Sequence, residues 1–308
     1  MFSIIFPGQG SQSVGMCKEF YDKFDLVKKI FKSADEILNF PISKIVFEGP
    51  KQDLDLTENT QPAIFLVGHS IFSLLTKEFE FDTSKAAFFA GHSLGEYTAL
   101  NAAGYINFED TLKILRIRGK AMQSSVPKGE GGMIAVLGSK IEFIENLLKE
   151  NIKNYECFIA NDNSEGQLVL SGKKNDLEKL SVDLKKNSIK NIILPVSAPF
   201  HCKLMKKASE IMKNEIEKVN FVECNNKLIS NVTANEILNK EELKKLLVDQ
   251  IENRVRWRES VIYMLNKGVN QFIEIGPGKV LSGLVKRINK DVKINSINSE
   301  NDIKDLKI

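Results

Sequence analysis

The stretch that most constrains the fold is Ala86 to Gly104, with the sequence AAFFAGHSLGEYTALNAAG. Ala87 to Ala90 form a short apolar run that predicts a buried strand. Gly91-His92-Ser93-Leu94-Gly95 fits G-x-S-x-G, and Glu96 to Ala103 contains good helix formers. Strand, sharp turn and helix is the setting in which this motif becomes a nucleophile elbow. The turn needs small residues because it holds the serine in a strained conformation, with Oγ at the helix N-terminus. There the backbone N–H groups and the helix dipole can stabilise an oxyanion. A serine N-cap flanked by chance glycines is the plainer alternative. A near-match, Gly68-His69-Ser70-Ile71-Phe72, lacks the second glycine and lies in an apolar helical run. Ser70 is therefore read as an ordinary helix residue.

Around this element the pattern is α/β. Met1 to Phe6 reads as a buried strand, followed by the glycine-rich loop Pro7-Gly8-Gln9-Gly10-Ser11-Gln12. Such a loop after the first strand lines a site or simply turns the chain; it is not G-x-G-x-x-G, which disfavours a dinucleotide. Helices are expected over about 16–38 and 61–78, the second capped by Thr60 ahead of Gln61-Pro62. Glu109 to Ser124 is a further helix with Asn107 as its N-cap. Its two arginines fall on different faces. Arg116 shares helical spacing with Lys113, Lys120 and Gln123, which predicts a solvent face, whereas Arg118 shares it with Ile114, Leu115 and Met122. An inward guanidinium must find an anion, either a core carboxylate or a carboxylate on a substrate.

From 126 to 198 the order changes to strand 131–137, helix 140–149, strands 157–160 and 167–171, helix 173–187 and strand 191–196. This βαββαβ order is that of a ferredoxin-like unit. It is entered through Val126-Pro127-Lys128-Gly129 and left through Ser197-Ala198-Pro199. At the exit stands His201, one of only three histidines, and it is read as a general base or a structural histidine at a domain junction. His92, locked beside Ser93, lines the pocket more naturally than it acts as a base. Beyond it come a helix over 202–218, a strand over Leu228 to Ala234 and a helix over 240–251. Arg254-Val-Arg-Trp-Arg258 follows, with half of all the arginines and the only Trp. A last clear strand and tight turn, Phe272 to Gly278, leads into a helix reaching about Ile288.

Composition narrows the function classes. The chain has 308 residues, 43% hydrophobic and 27% charged, with a net charge of +3, so nothing favours nucleic acid. Cys17, Cys157, Cys202 and Cys224 are widely spaced and suggest neither a disulfide framework nor a zinc site. No apolar stretch approaches the roughly 20 residues needed to span a bilayer, and no signal peptide is evident. A cytosolic protein without membrane contact is expected.

Read together, Phe6-Pro-Gly-Gln-Gly-Ser-Gln12, Gly91-His-Ser-Leu-Gly-Glu-Tyr97, Arg118-Gly119, Pro199-Phe-His201, Asn231-Val-Thr233 and Glu274-Ile-Gly-Pro-Gly278 resemble the malonyl-CoA:acyl-carrier-protein transacylases. These acyltransferases supply bacterial fatty-acid synthesis. The resemblance implies an α/β-hydrolase-like large domain with a mainly parallel sheet, over 1–125 and 199–308. An inserted ferredoxin-like small domain would occupy 126–198, with the site between the two. It implies Ser93 as the acylated nucleophile, His201 as the base and the N–H groups of Gln9 and Leu94 as the oxyanion hole. Arg118 would clamp the malonyl carboxylate, and the main-chain carbonyl of Gln250 would orient the histidine in place of a triad acid. His92, Met122, Phe200, Asn161 and Asn231 complete the implied substrate surroundings. Phe200 departs from relatives with serine before the histidine, and in modular-synthase relatives phenylalanine there accompanies malonyl choice. The implied partners are malonyl-CoA and acyl carrier protein, with no bound cofactor or metal, and a monomer is expected. A thioesterase or carboxylesterase with the same elbow is the rival; it predicts a triad acid and has no use for an inward Arg118. A catalytically dead acyl-binding protein is a second rival, which intact Ser93, His201 and Arg118 disfavour.

Overall fold

The computed structural model describes residues 1–127, 129–196 and 198–307. Lys128 and Ser197, which fall in the two expected connections, lie outside the described residues. The chain opens with β1 (Phe2–Phe6), α1 (Lys18–Lys23), α2 (Asp25–Leu38), α3 (Ile42–Glu48), α4 (Lys51–Leu54) and α5 (Thr57–Lys77). Next come β2 (Ala86–Gly91), α6 (Leu94–Ala103) and α7 (Phe108–Ser124). The middle region comprises β3 (Gly131–Leu137), α8 (Ile141–Glu150), β4 (Cys157–Ser164), β5 (Gln167–Lys173), α9 (Lys174–Lys186) and β6 (Lys190–Ile193). The remainder is α10 (Lys206–Lys218), α11 (Lys240–Glu252), α12 (Trp257–Asn266), β7 (Gln271–Ile275), α13 (Val280–Ile288), β8 (Lys293–Ile297) and α14 (Glu300–Lys304).

Two sheets result. One is parallel, in the order β2-β1-β7-β8, and the other antiparallel, in the order β4-β5-β3-β6. The first is the α/β-hydrolase-like core and the second the expected βαββαβ unit. All five residues of β1 are buried, as a central parallel strand requires. Its successive side chains serve opposite cores: Ile4 and Phe6 join the α5 and α7 side, and Ile5 packs with Phe88, Phe272 and Trp257.

Several sequence expectations shift. The helix expected over 16–38 is two, because Phe24 is extended between them (φ −120°). The helix after Thr60 begins at Thr57, so Gln61-Pro62 lies within it. The segment 228–234 is not a strand. It makes a short parallel bridge beside β2, Ile229 N–H to Phe89 O at 3.0 Å, then turns so that Ala234 N–H reaches Ser230 O and Ile229 bridges Glu236 on the returning chain. The strand expected over 191–196 ends at Ile193, before Pro195, which has no N–H to continue the ladder. A 3₁₀ turn over Lys203–Met205 precedes α10.

Lys113 and Lys120 on the expected solvent face are exposed, but Arg116 is half-buried there and turned onto α5. Pro62 in the interior of α5 has no N–H for the carbonyl of Glu58, four residues earlier. Arg116 Nη1 supplies the missing donor at 3.1 Å, also reaches Asn59 Oδ1, and the guanidinium lies 4.0 Å from the centroid of the Phe40 ring. The proline thus creates a gap that an arginine from α7 fills. Arg116→Ala should cost about 1.5–3 kcal/mol of stability, the range for hydrogen bonds to a charged group. An unchanged denaturation midpoint would show that the gap is tolerated without it.

Backbone bonds and ion pairs from the segment 254–258 help hold the antiparallel unit to the parallel one. Val255 exchanges backbone hydrogen bonds with Ala160 and Asp162 at 2.8 and 2.9 Å. Asp162, fully buried, also receives Nε and Nη2 of Arg258 at 2.8–3.0 Å. Arg254 meets Glu145 on α8, and Arg256 meets Glu259. Arg254 and Arg258 therefore fasten the two units together, while Arg256 pairs within its own helix turn.

Candidate active site

The elbow forms because its glycines leave no room for anything larger. A Cβ at Gly91 would lie 1.9 Å from Gly95 O, and one at Gly95 would lie 2.3 Å from Phe6 O. β1, β2 and α6 can then meet around Ser93, which adopts φ 54° and ψ −111° at the N-cap of α6. A non-glycine residue there is strained, and such strain persists only where the surroundings hold it. Asn231 is one holder: its Oδ1 accepts Ser93 N–H at 2.7 Å and its Nδ2 donates to Gly91 O at 2.7 Å. His201, at φ 58°, is held in the same unusual region.

These two strained residues face each other. Ser93 Oγ lies 2.8 Å from His201 Nε2, and His201 Nδ1 lies 2.8 Å from the carbonyl oxygen of Gln250. A carbonyl only accepts, so Nδ1 carries the proton and the Nε2 lone pair is directed at the serine. Burial, followed by the Arg118 charge, pushes the His201 imidazole down to about 3, against the hydrogen bond to Gln250. The ring is therefore neutral at physiological pH, ready to accept a proton.

Arg118 reaches the nucleophile from α7. Gly119 allows this: a Cβ there would meet Glu58 Cα at 2.6 Å, so α7 packs directly on the start of α5. The guanidinium, 1% exposed, donates to Gln61 Oε1 and Gln250 Oε1 at 2.8 Å each and to Ser93 Oγ at 3.3 Å. The helix phase predicts an inward side chain, and the guanidinium is buried with no carboxylate in contact with it among the described residues. Two amide oxygens and the Ser93 hydroxyl accept from its Nη groups, and its Nε has no hydrogen-bond partner among the described residues. A carboxylate whose charge acts on it is that of Glu96, fully buried, which accepts from Gln250 Nε2 at 2.6 Å and from Asn231 N–H at 3.2 Å. Burial pushes that carboxyl up to about 7, against those hydrogen bonds and the Arg118 charge.

A cavity of about 380 Å³ opens onto these groups between the two sheets. Gln9, His92, Ser93, Leu94, Arg118, Met122, Asn161, Phe200 and His201 all line it. His92 Nε2 pairs with Asn163 Oδ1 at 2.9 Å across the cleft. The N–H groups of Gln9 and Leu94 have no acceptor among the described residues. Asn231 and Gln250 do not line the cavity; they act from behind it. Sequence reasoning missed Gln61, Asn163 and Glu96, as well as the apolar wall given by Val280, Leu281 and Leu284 on α13. The Glu274-Ile-Gly-Pro-Gly278 turn sets that wall, because the Glu274 carboxylate caps α13 through Leu281 and Ser282 N–H at 3.0 and 2.7 Å. Ser70, from the near-match motif, is buried within α5 away from the cavity. Among the described residues no cluster of metal-ligating side chains occurs.

Comparisons with known proteins show the family to which the chain belongs. The family profile described as Acyl transferase domain matches residues 3–305. The malonyl CoA-acyl carrier protein transacylase of Bacillus subtilis is 40% identical over 293 residues, spanning 94% of this chain and 91% of that protein. An acyl-carrier-protein-S-malonyltransferase from Bartonella henselae superposes with a TM-score of 0.95 at 40% identity, covering 98% of this chain and 97% of that one. A malonyl-transacylase solved in complex with its type II PKS acyl-carrier protein superposes with a TM-score of 0.94 at 34% identity, covering 98% and 97%. The chain belongs to the malonyl CoA-acyl carrier protein transacylases, within the acyl transferase domain family.

Proposed function

We propose that the chain moves the malonyl group of malonyl-CoA onto the phosphopantetheine thiol of acyl carrier protein, by way of a malonyl ester on Ser93. The observation that carries this reading is a guanidinium 3.3 Å from a serine Oγ that is itself 2.8 Å from a neutral imidazole. A malonyl thioester has one methylene between its reacting carbonyl and its carboxylate. When Oγ reaches the carbonyl carbon, the carboxylate falls within reach of Arg118.

The steps follow from the groups present. His201 Nε2 takes the Ser93 proton as Oγ attacks the thioester carbon, and the oxygen that becomes negative faces the N–H groups of Gln9 and Leu94. Collapse of the tetrahedral intermediate breaks the C–S bond, and His201 returns the proton to the departing CoA thiol. The carrier thiol then gives its proton to His201 and attacks the Ser93 ester by the same route reversed. His92, Met122, Phe200 and Asn161 would shape the acyl and pantetheine path, while Gln250 and Asn231 would act by positioning. We take 1–125 and 199–308 as the catalytic unit and 126–198 as the unit that closes the cleft. A cytosolic monomer, acting without membrane or nucleic acid, is part of the same proposal. No helix among the described residues is long and apolar enough to cross a membrane.

The test is acyl selection by Arg118→Ala. Two charge-assisted hydrogen bonds are worth about 1.5–3 kcal/mol each, so malonyl transfer should fall by about a hundredfold or more. Acetyl transfer from acetyl-CoA should persist. Equal losses for malonyl and acetyl would make Arg118 structural and defeat the clamp.

A further inference from the structure

Gln250 stands at the crossing of three functions. Its main-chain oxygen holds His201, its side-chain oxygen holds Arg118 and its side-chain nitrogen holds Glu96. Arg118 can only donate and a carboxylate can only accept, so the amide has one allowed orientation, oxygen toward the clamp and nitrogen toward the acid. Glu96 is buried on α6, three residues beyond the nucleophile, and touches neither Ser93 Oγ nor His201. Its Oε1 has no hydrogen-bond partner among the described residues, so Oε2 alone carries its contacts.

We propose that Glu96 is a positioning residue for acyl selection: by accepting the Gln250 side-chain NH₂ it turns the amide oxygen onto Arg118 and fixes the guanidinium beside Ser93. The arrangement answers a conflict in the clamp. A buried guanidinium needs something electronegative to hold it, yet a carboxylate bound directly to it would fill the fork that a substrate carboxylate must occupy. An amide placed between acid and guanidinium holds the clamp while keeping the ion pair unmade. The same carboxylate steadies the elbow through Asn231 N–H, so a purely structural role is the competing account.

The inference rests on Arg118 being the carboxylate clamp, and the experiment separates the two. Single-turnover acylation of Ser93 by malonyl-CoA and by acetyl-CoA is followed by intact mass at pH 8, above the value of about 7 to which burial pushes the Glu96 carboxyl. Glu96→Ala should lower malonyl acylation about tenfold more than acetyl acylation, the effect of losing one hydrogen bond of ordinary net strength. The loss is partial because Gln250 Nε2 retains longer contacts with Ser93 O (3.1 Å) and Asn231 Oδ1 (3.3 Å). Glu96→Gln, which keeps an acceptor, should hold the malonyl-to-acetyl ratio within about threefold of the parent. In an Arg118→Ala background, Glu96→Ala should leave the ratio where Arg118→Ala alone puts it, since the pathway runs through that guanidinium. Equal loss of both acylations in Glu96→Ala, an unchanged ratio, or Glu96→Gln as damaging as Glu96→Ala would each overturn the proposal. If Glu96→Ala does not fold, Gln250→Leu keeps the main-chain oxygen for His201 and drops the bridging amide. The same selective loss is expected there, and an unchanged ratio overturns the proposal. Arg118→Ala alone losing both acyl groups equally would instead remove the clamp reading itself.

Discussion

Ser93→Ala should abolish both the malonyl adduct and transfer to the carrier protein while leaving the fold intact. Loss of a serine nucleophile working with a histidine costs on the order of 10⁶-fold in turnover. Among the described residues the Ser93 hydroxyl hydrogen-bonds to His201 Nε2 and Arg118 Nη2, and its removal empties little space. The strained backbone is held from outside the side chain, by the bond from Ser93 N–H to Asn231 and by the two glycines that let β1 and β2 close on α6. Alanine tolerates φ 54° no worse than serine does. Intact mass after mixing with malonyl-CoA, beside a thermal unfolding curve, decides the matter. A malonyl adduct persisting in a folded Ser93→Ala protein would place the nucleophile elsewhere.

The elbow was legible in the sequence because its chemistry is local. Strand, glycine, serine, glycine and helix are consecutive, and each reports a steric need that the backbone geometry bears out. The phase of α7 likewise put Arg118 on the buried face, since helical spacing is a local property. The same argument misplaced Arg116, because its environment is set by a proline 54 positions earlier that leaves a carbonyl without a donor. Glu96 looked like any helix-forming residue; its meaning depends on Gln250, 154 positions away. Gln61 and Asn163 were hidden for the same reason. The segment at 228–234 has strand-like composition, but Asn231 is drawn to the elbow and Glu96, which turns the chain away from the sheet after one bridge. α12 and β8 carry no clear sequence signal. The short strand Lys293–Ile297 lies at the sheet edge, and its Asn295-Ser296 pair breaks the polar–apolar alternation that marks a half-buried strand.

His201→Ala should slow acylation by about 10²–10⁴-fold, the usual contribution of a general base. Asp249→Asn should change it little. A conventional triad would place a carboxylate on His201 Nδ1, and that position is taken by the Gln250 carbonyl at 2.8 Å. Asp249 is the obvious acid by sequence, yet it is simply the preceding residue of α11. A carbonyl fixes the tautomer as a carboxylate does, but gives the imidazolium less stabilisation once His201 holds the serine proton. Burial and the Arg118 charge oppose that imidazolium further, which is why the ring is driven to about 3. The sign of the pH effect follows. A base with a depressed pKa stays neutral until the pH approaches that value, so the acid limb of kcat/KM should lie well below 6.5, the ordinary imidazole value. Stability runs the same way, since the unfolded histidine takes up a proton between pH 6.5 and about 3 while the folded one does not. Lowering the pH through that window should therefore weaken the fold before it titrates the base. A collapse in Asp249→Asn matching that of His201→Ala, or an acid limb near 6.5 in a fully folded protein, would restore a carboxylate-backed histidine and with it the hydrolase alternative.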